Sequence, residues 1–171
     1  MSSESAQCPD NTADMAEKDS RSRKETRRYC NFCLIVSDGD PEAEILKKND
    51  ELVCFKDICP AAPHHYLVVP REHLESCNTL HKGHIGLVKR MAELGREVLR
   101  EQGVTDMTDV RLGFHKPPYT SVHHLHLHVL APSSQIHKSM LYKFIPGSVR
   151  FITVSYLIKN LEDYRNHTCT L

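Results

Sequence analysis

The run His123-His124-Leu125-His126-Leu127-His128-Val129-Leu130 constrains this chain more than any other stretch. Its alternation of polar and apolar residues has the period of a β-strand, whose successive side chains point to opposite faces. Read that way, His124, His126 and His128 line one face, and Leu125, Leu127 and Val129 line the other. The apolar face has to be covered, so the strand belongs to a sheet with a packed layer behind it. A row of imidazoles is a costly structural filler, because each ring brings a donor and an acceptor that need partners. Two chemistries can use such a row. Imidazole is the commonest metal ligand, and three on one face suit zinc with water as the fourth ligand. It is also a nucleophile toward phosphorus or carbonyl carbon once a neighbour fixes its tautomer. The spacing alone does not separate the two.

The rest of the chain bounds the setting. At 171 residues it fits one domain with modest tails. Twenty-two basic and 22 acidic residues cancel. No overall field then draws in nucleic acid or an anionic membrane, and a small anionic ligand needs a local site. Aliphatic runs such as Leu67-Val68-Val69 are too short to span a bilayer, and the polar N-terminus lacks the apolar segment of a secretory signal. Seven cysteines in such a chain read as reduced thiols of a cytoplasmic protein. Residues 1–28 read as a disordered polar tail. Within it, Arg21, Arg23, Lys24, Arg27 and Arg28 form a basic cluster that is either plain solvated surface or a nuclear import signal.

Periodicity supplies the elements. Ala43 to Leu46 and Leu52 to Phe55 form a hairpin around a polar turn, and His65 to Pro70 reads as a strand closed by its proline. Between Leu80 and Gln102, the residues Val88, Met91, Ala92, Gly95, Val98 and Leu99 fall at helical spacing, with Gly103 as the stop. Val110 to Phe114 is the next strand, paired antiparallel with Val122 to Leu130 across a Pro117-Pro118 loop. Val154, Leu157, Ile158 and Leu161 indicate a short final helix. The expectation is an α+β domain over residues 29–165 and a frayed end at 166–171. Its antiparallel sheet has about five strands, with one long helix and one short C-terminal helix. Asp57 reads as a turn cap, Phe55 as a core aromatic, and His64, His81 and His84 as surface residues.

The triplet and its surroundings resemble the histidine triad superfamily. His124-Leu125-His126-Leu127-His128-Val129-Leu130 matches its His-φ-His-φ-His-φ-φ signature throughout, φ being apolar. The likeness extends through Cys30-Asn31-Phe32-Cys33, Phe55-Lys56-Asp57-Ile58, Pro63 to Pro70, His73, Gly113-Phe114-His115 and Ser121. Within the superfamily the chain is most similar to the third nucleotide-binding branch, and more distantly to aprataxin.

The resemblance implies a hydrolase that cleaves the P–N bond of adenosine 5'-monophosphoramidates, and acyl-adenylates as well, through a covalent AMP-histidine. His126 would be the nucleophile, flanked by His124 and His128, with His65 beside them and Ser121 on the phosphate or departing group. Asp57 would accept from ribose hydroxyls while Ile58 and Phe55 pack on the base. His115 would stand near the leaving group, where the commonest branch has Asn. The reaction would require no cofactor. Some members hold a structural zinc, here through Cys30, Cys33, His73 and His124; many are metal-free. Relatives often pair as homodimers through the helix and an edge strand, and the ligand implied is an adenine nucleotide, with neither membrane nor nucleic acid. Two other readings stand beside this one. The chain is then a nucleotide-binding interaction module, or it removes AMP from nucleic-acid ends as aprataxin does; the balanced charge and the lack of a C-terminal zinc finger speak against the latter. Past Pro132 the likeness weakens, and no Trp precedes Phe151-Ile152-Thr153, so the leaving group is left open.

Overall fold

The apolar face of the histidine strand is covered by the long helix. The computed structural model describes residues 30–164; the tail expected at 1–28, with its basic cluster, and the end at 166–171 lie outside the described residues. In chain order the elements are α1 (Asn31–Val36), β1 (Ile45–Lys48), β2 (Leu52–Lys56), β3 (His64–Pro70), α2 (Ile85–Glu101), β4 (Arg111–His115), β5 (Leu127–Ala131), β6 (Phe151–Thr153) and α3 (Val154–Asp163). The strands form one antiparallel sheet in the order β1-β2-β3-β5-β4-β6. The expected α+β class holds, with a sixth strand added. β6 is three residues long and runs straight into α3, too short to leave a period in the sequence.

Helix α2 buries Leu87, Val88, Met91, Ala92, Leu94, Gly95, Val98 and Leu99 against the sheet. A Cβ at Gly95 would lie 2.7 Å from Val129 Cγ2, so the helix rests directly on β5 and only glycine fits there. The helix starts at Ile85 rather than Leu80, because Cys77–Thr79 and Lys82–His84 are 3₁₀ turns. His81 and His84, expected as plain surface, form the second turn's cap: His81 Nδ1 accepts from Gly83 N–H, and His84 Nδ1 accepts from His81 N–H.

On the opposite face, Phe32, Ile35 and Val36 of α1 pack with Val53, Phe55, Leu67 and Val69. A further cluster there contains Ala61, Ala62, Leu130, Ile136, Phe144 and Phe151. The two flank the imidazoles. Cys30, Cys33, Cys54 and Cys77 carry reduced thiols as expected, whereas Cys59, half-exposed in the loop before β3, is disulfide-bonded. Among the described residues no helix is long and apolar enough to cross a membrane.

The histidine strand is shorter than its pattern. β5 begins at Leu127, so His124 and His126 approach it in irregular chain, with a bend at residues 121–124. Pairing with β3 ends at Val68 and Leu127, and pairing with β4 ends at Gly113 and His128, so residues 121–126 lie outside both ladders; β6 takes the other edge of β4 through Gly113, Phe114 and His115. Gly113 permits this crowding; a Cβ there would sit 2.4 Å from the Ile152 carbonyl oxygen. The alternation survives the loss of the ladder, with Leu125 in the helix-side core and His124, His126 and His128 on the other face.

Candidate active site

Five imidazoles and one carboxylate meet on the sheet face away from α2. Their hydrogen bonds fix which nitrogen of each ring carries the proton. The chain bends at Ala61, whose N–H donates to His65 Nδ1 (2.9 Å), so the neutral His65 ring holds its proton on Nε2. That Nε2 lies 2.9 Å from His128 Nδ1 and 3.3 Å from Asp57 Oδ2. His128 accepts at Nδ1 and therefore carries its own proton on Nε2. This Nε2 is buried without any hydrogen-bond partner. An orphaned donor in an otherwise satisfied site is a place where a ligand acceptor belongs.

His126 has the complementary arrangement. Its Nδ1 lies 2.7 Å from the His124 carbonyl oxygen and donates to it, which leaves a lone pair on Nε2. Phe32 sits edge-on to this ring at 5.1 Å and holds its plane. His124 is turned away: its Nε2 donates to the Pro70 carbonyl (2.8 Å), and its Nδ1 faces Cys30 Sγ and Cys33 Sγ, each at 3.5 Å. His73 Nδ1 lies 3.1 Å from Cys33 Sγ, and the four ligand atoms all lie within 4.8 Å of one another. The edges of a tetrahedron around zinc with these donors are about 3.3–3.8 Å long, so the set fits that ion. The backbone acceptor behind His124 is the usual support of a ligating ring.

Burial keeps the rings neutral. It holds His126 and His124 down to about 4 and His65 down to about 3, with repulsion from neighbouring rings adding to it. His128 lies well below the ordinary imidazole range for the same reason. Burial pushes Asp57 the other way, up to about 6, against the Cys59 N–H bonded to its Oδ1 at 2.8 Å and the Lys143 charge. With His65 neutral, its 3.3 Å approach to Asp57 is not an ion pair.

Comparison with known proteins decides the family. The pattern described as "Scavenger mRNA decapping enzyme C-term binding" matches residues 29–141. "Adenosine 5'-monophosphoramidase HINT3" of Xenopus tropicalis is 50% identical over 135 residues, covering 78% of this chain and 87% of its own. Its namesake in Danio rerio is 53% identical over 117 residues, 68% of this chain and 73% of its own. A solved HIT family hydrolase from Clostridium thermocellum superposes with a TM-score of 0.55 at 27% identity, covering 60% of this chain and 89% of that one. The chain belongs to the histidine triad superfamily.

The triad site gathers most of the residues the sequence singled out. His115 closes it from β4, its ring 4.4 Å from that of His128, with Nε2 donating to the Lys143 carbonyl (3.0 Å). Burial again brings this imidazole down to about 4, and the Lys143 and Arg150 charges add to that. Phe55 takes its core role, packed edge-on to Phe32 at 5.4 Å. Ile58, next to Asp57, is 96% exposed. Ser121 is exposed in the loop before His124. Sequence reasoning missed Phe144, whose ring centroid lies within 5.5 Å of those of His65, His115 and His128. It also missed the neighbouring Tyr142, Lys143 and Arg150. They come from the stretch after Pro132, where family likeness fades, and only the aromatic and basic content of Tyr142-Lys143-Phe144 signalled them.

Proposed function

We propose that this chain hydrolyses the P–N bond of adenosine 5'-monophosphoramidates, releasing AMP through a covalent AMP-histidine. The observation that carries the reading is the bond from His126 Nδ1–H to the His124 carbonyl, which leaves Nε2 as a nucleophile at neutral pH. The two relatives named adenosine 5'-monophosphoramidase support the substrate class.

In the first step His126 Nε2 bonds to phosphorus, and the P–N bond breaks with its electron pair on the departing amine. The amine takes a proton from His128 Nε2–H, the orphaned donor. Positive charge on the adenylylated His126 ring balances what His128 has given up. Water then bonds to phosphorus, its proton returns to His128, and the electron pair of the P–Nε2 bond returns to His126. His65 holds the His128 tautomer throughout, because Ala61 N–H keeps the His65 proton on Nε2. Asp57 accepts from Cys59 N–H at Oδ1 and retains acceptor capacity at Oδ2 for ribose hydroxyls, and Ile58 offers an apolar face to the base. No step passes through a metal. Zinc on Cys30, Cys33, His73 and His124 would be structural, tying α1 to the triad and fixing Phe32 beside His126.

The test is His126→Ala. Turnover of an adenosine phosphoramidate falls by at least about 10³-fold, as expected for removal of a nucleophile, while AMP binding remains measurable. Intact-mass analysis of the quenched wild type shows an AMP adduct that the variant lacks. Turnover by a cleanly purified variant would exclude this mechanism.

A further inference from the structure

The 141–150 segment brings a cation to the triad that the proposed chemistry does not use. The Arg150 carbonyl accepts from the N–H of Lys116, the residue after His115 (2.8 Å), and the Arg150 charge reaches His115 itself. The guanidinium lies over two partly exposed aromatic rings, its Cζ 4.2 Å from the Tyr119 centroid and 5.4 Å from that of Tyr142. Lys143 Nζ stands 5.8 Å from the Tyr142 ring, and its charge also reaches Asp57. Among the described residues, no carboxylate forms an ion pair with Arg150. Arg90 shows the contrast, since both of its forks are taken up by Glu51 at 2.7 and 2.6 Å.

A guanidinium stacked on aromatic rings keeps its N–H edge free and has lost little more freedom to lose on binding. Its planar fork matches a carboxylate in two parallel hydrogen bonds. His115, which the Arg150 charge reaches, has its ring 4.4 Å from the ring of His128, whose Nε2 is the orphaned donor. We propose that Arg150, held over Tyr119 and Tyr142 beside His115, binds a carboxylate carried by the departing amine. The site then selects adenylated amines that bear a negative charge near the scissile nitrogen. This rests on the phosphoramidase reading and names its leaving-group class.

The probes are the adenosine 5'-phosphoramidates of glycine and of glycinamide, which differ in charge and hardly in shape. Wild-type kcat/KM favours the glycine conjugate by about tenfold, the scale of one charge-assisted bidentate contact, and the preference shrinks as salt is raised. In Arg150→Gln the ratio between the two conjugates collapses toward one, and in Arg150→Lys it recovers only in part. A wild-type ratio near one overturns the inference and leaves the phosphoramidase reading intact. So does an equal loss on both conjugates in Arg150→Gln, which marks the Arg150–tyrosine contact as a mere staple for the 141–150 segment. Turnover of an adenylated oligonucleotide in place of the glycine conjugate overturns it in favour of a strand-binding site. If neither conjugate is hydrolysed, the phosphoramidase reading itself falls.

Discussion

Asp57→Asn probes the least ordinary electrostatic feature of the site. Burial raises the Asp57 carboxyl from 3.8 to about 6. Between those two values the folded chain keeps a proton that the unfolded chain has released, so this group favours folding increasingly as pH falls through 6, fully below 3.8. At about 1.4 kcal/mol per pKa unit the full effect is about 3 kcal/mol, of which about 2 kcal/mol is present by pH 4. His65 works in the opposite sense. Its folded value is held down from 6.5 to about 3, so the unfolded chain alone takes up the proton below 6.5, and that stability is lost as pH falls toward 3. From about pH 6 to 4 the two therefore exchange one proton in each direction and nearly cancel. Asparagine removes one side of that balance. Urea unfolding of both proteins from pH 7 to pH 4 should show the stability gap in favour of the wild type widening by about 2 kcal/mol toward acid. Groups that titrate alike in both proteins drop out of this difference. A gap that stays constant or narrows as pH falls would mean that Asp57 is an ordinary exposed-type carboxylate, and the argument from burial would be wrong.

Two further outcomes follow from the same geometry. In Gly113→Ala the new Cβ meets the Ile152 carbonyl oxygen at 2.4 Å and the Phe151 ring at 2.5 Å, and the three-residue edge strand β6 gives way before β4–β5 does. The cost is about 1–3 kcal/mol, and hydrogen exchange quickens in β6 first; a variant with wild-type melting and protection would contradict this. Adding one equivalent of zinc to metal-stripped protein raises the melting temperature, and Cys33→Ser removes the effect; an identical zinc response in both proteins would exclude the four-ligand site.

How much was legible beforehand follows from how local each signal was. Leu125, Leu127 and Val129 announced a buried face by alternation, and Val88, Met91, Val98 and Leu99 announced the helix that covers it, because both periods are imposed by backbone geometry alone. The seven-residue triad signature named the family for the same reason, since His124 to Leu130 is one uninterrupted piece of chain. Phe144, Arg150 and Tyr142 left no such trace. Phe144 and Arg150 reach His115, and Tyr142 reaches Arg150, only because the chain returns after Pro132 to add β6 beside β4.

Taken by itself, the sequence determined the layer order, the row of imidazoles and the four zinc-competent residues. Each depends on side-chain type at short spacing, or on family motifs. Only the tertiary structure decided what each ring does. Pro70 and the two cysteines engage both ring nitrogens of His124, the His124 carbonyl frees Nε2 of His126, and Ala61 sets the proton of His65 and, through it, that of His128. A tautomer is chosen by whatever stands opposite the ring. For these rings nearly every partner comes from a distant part of the chain, brought in by packing.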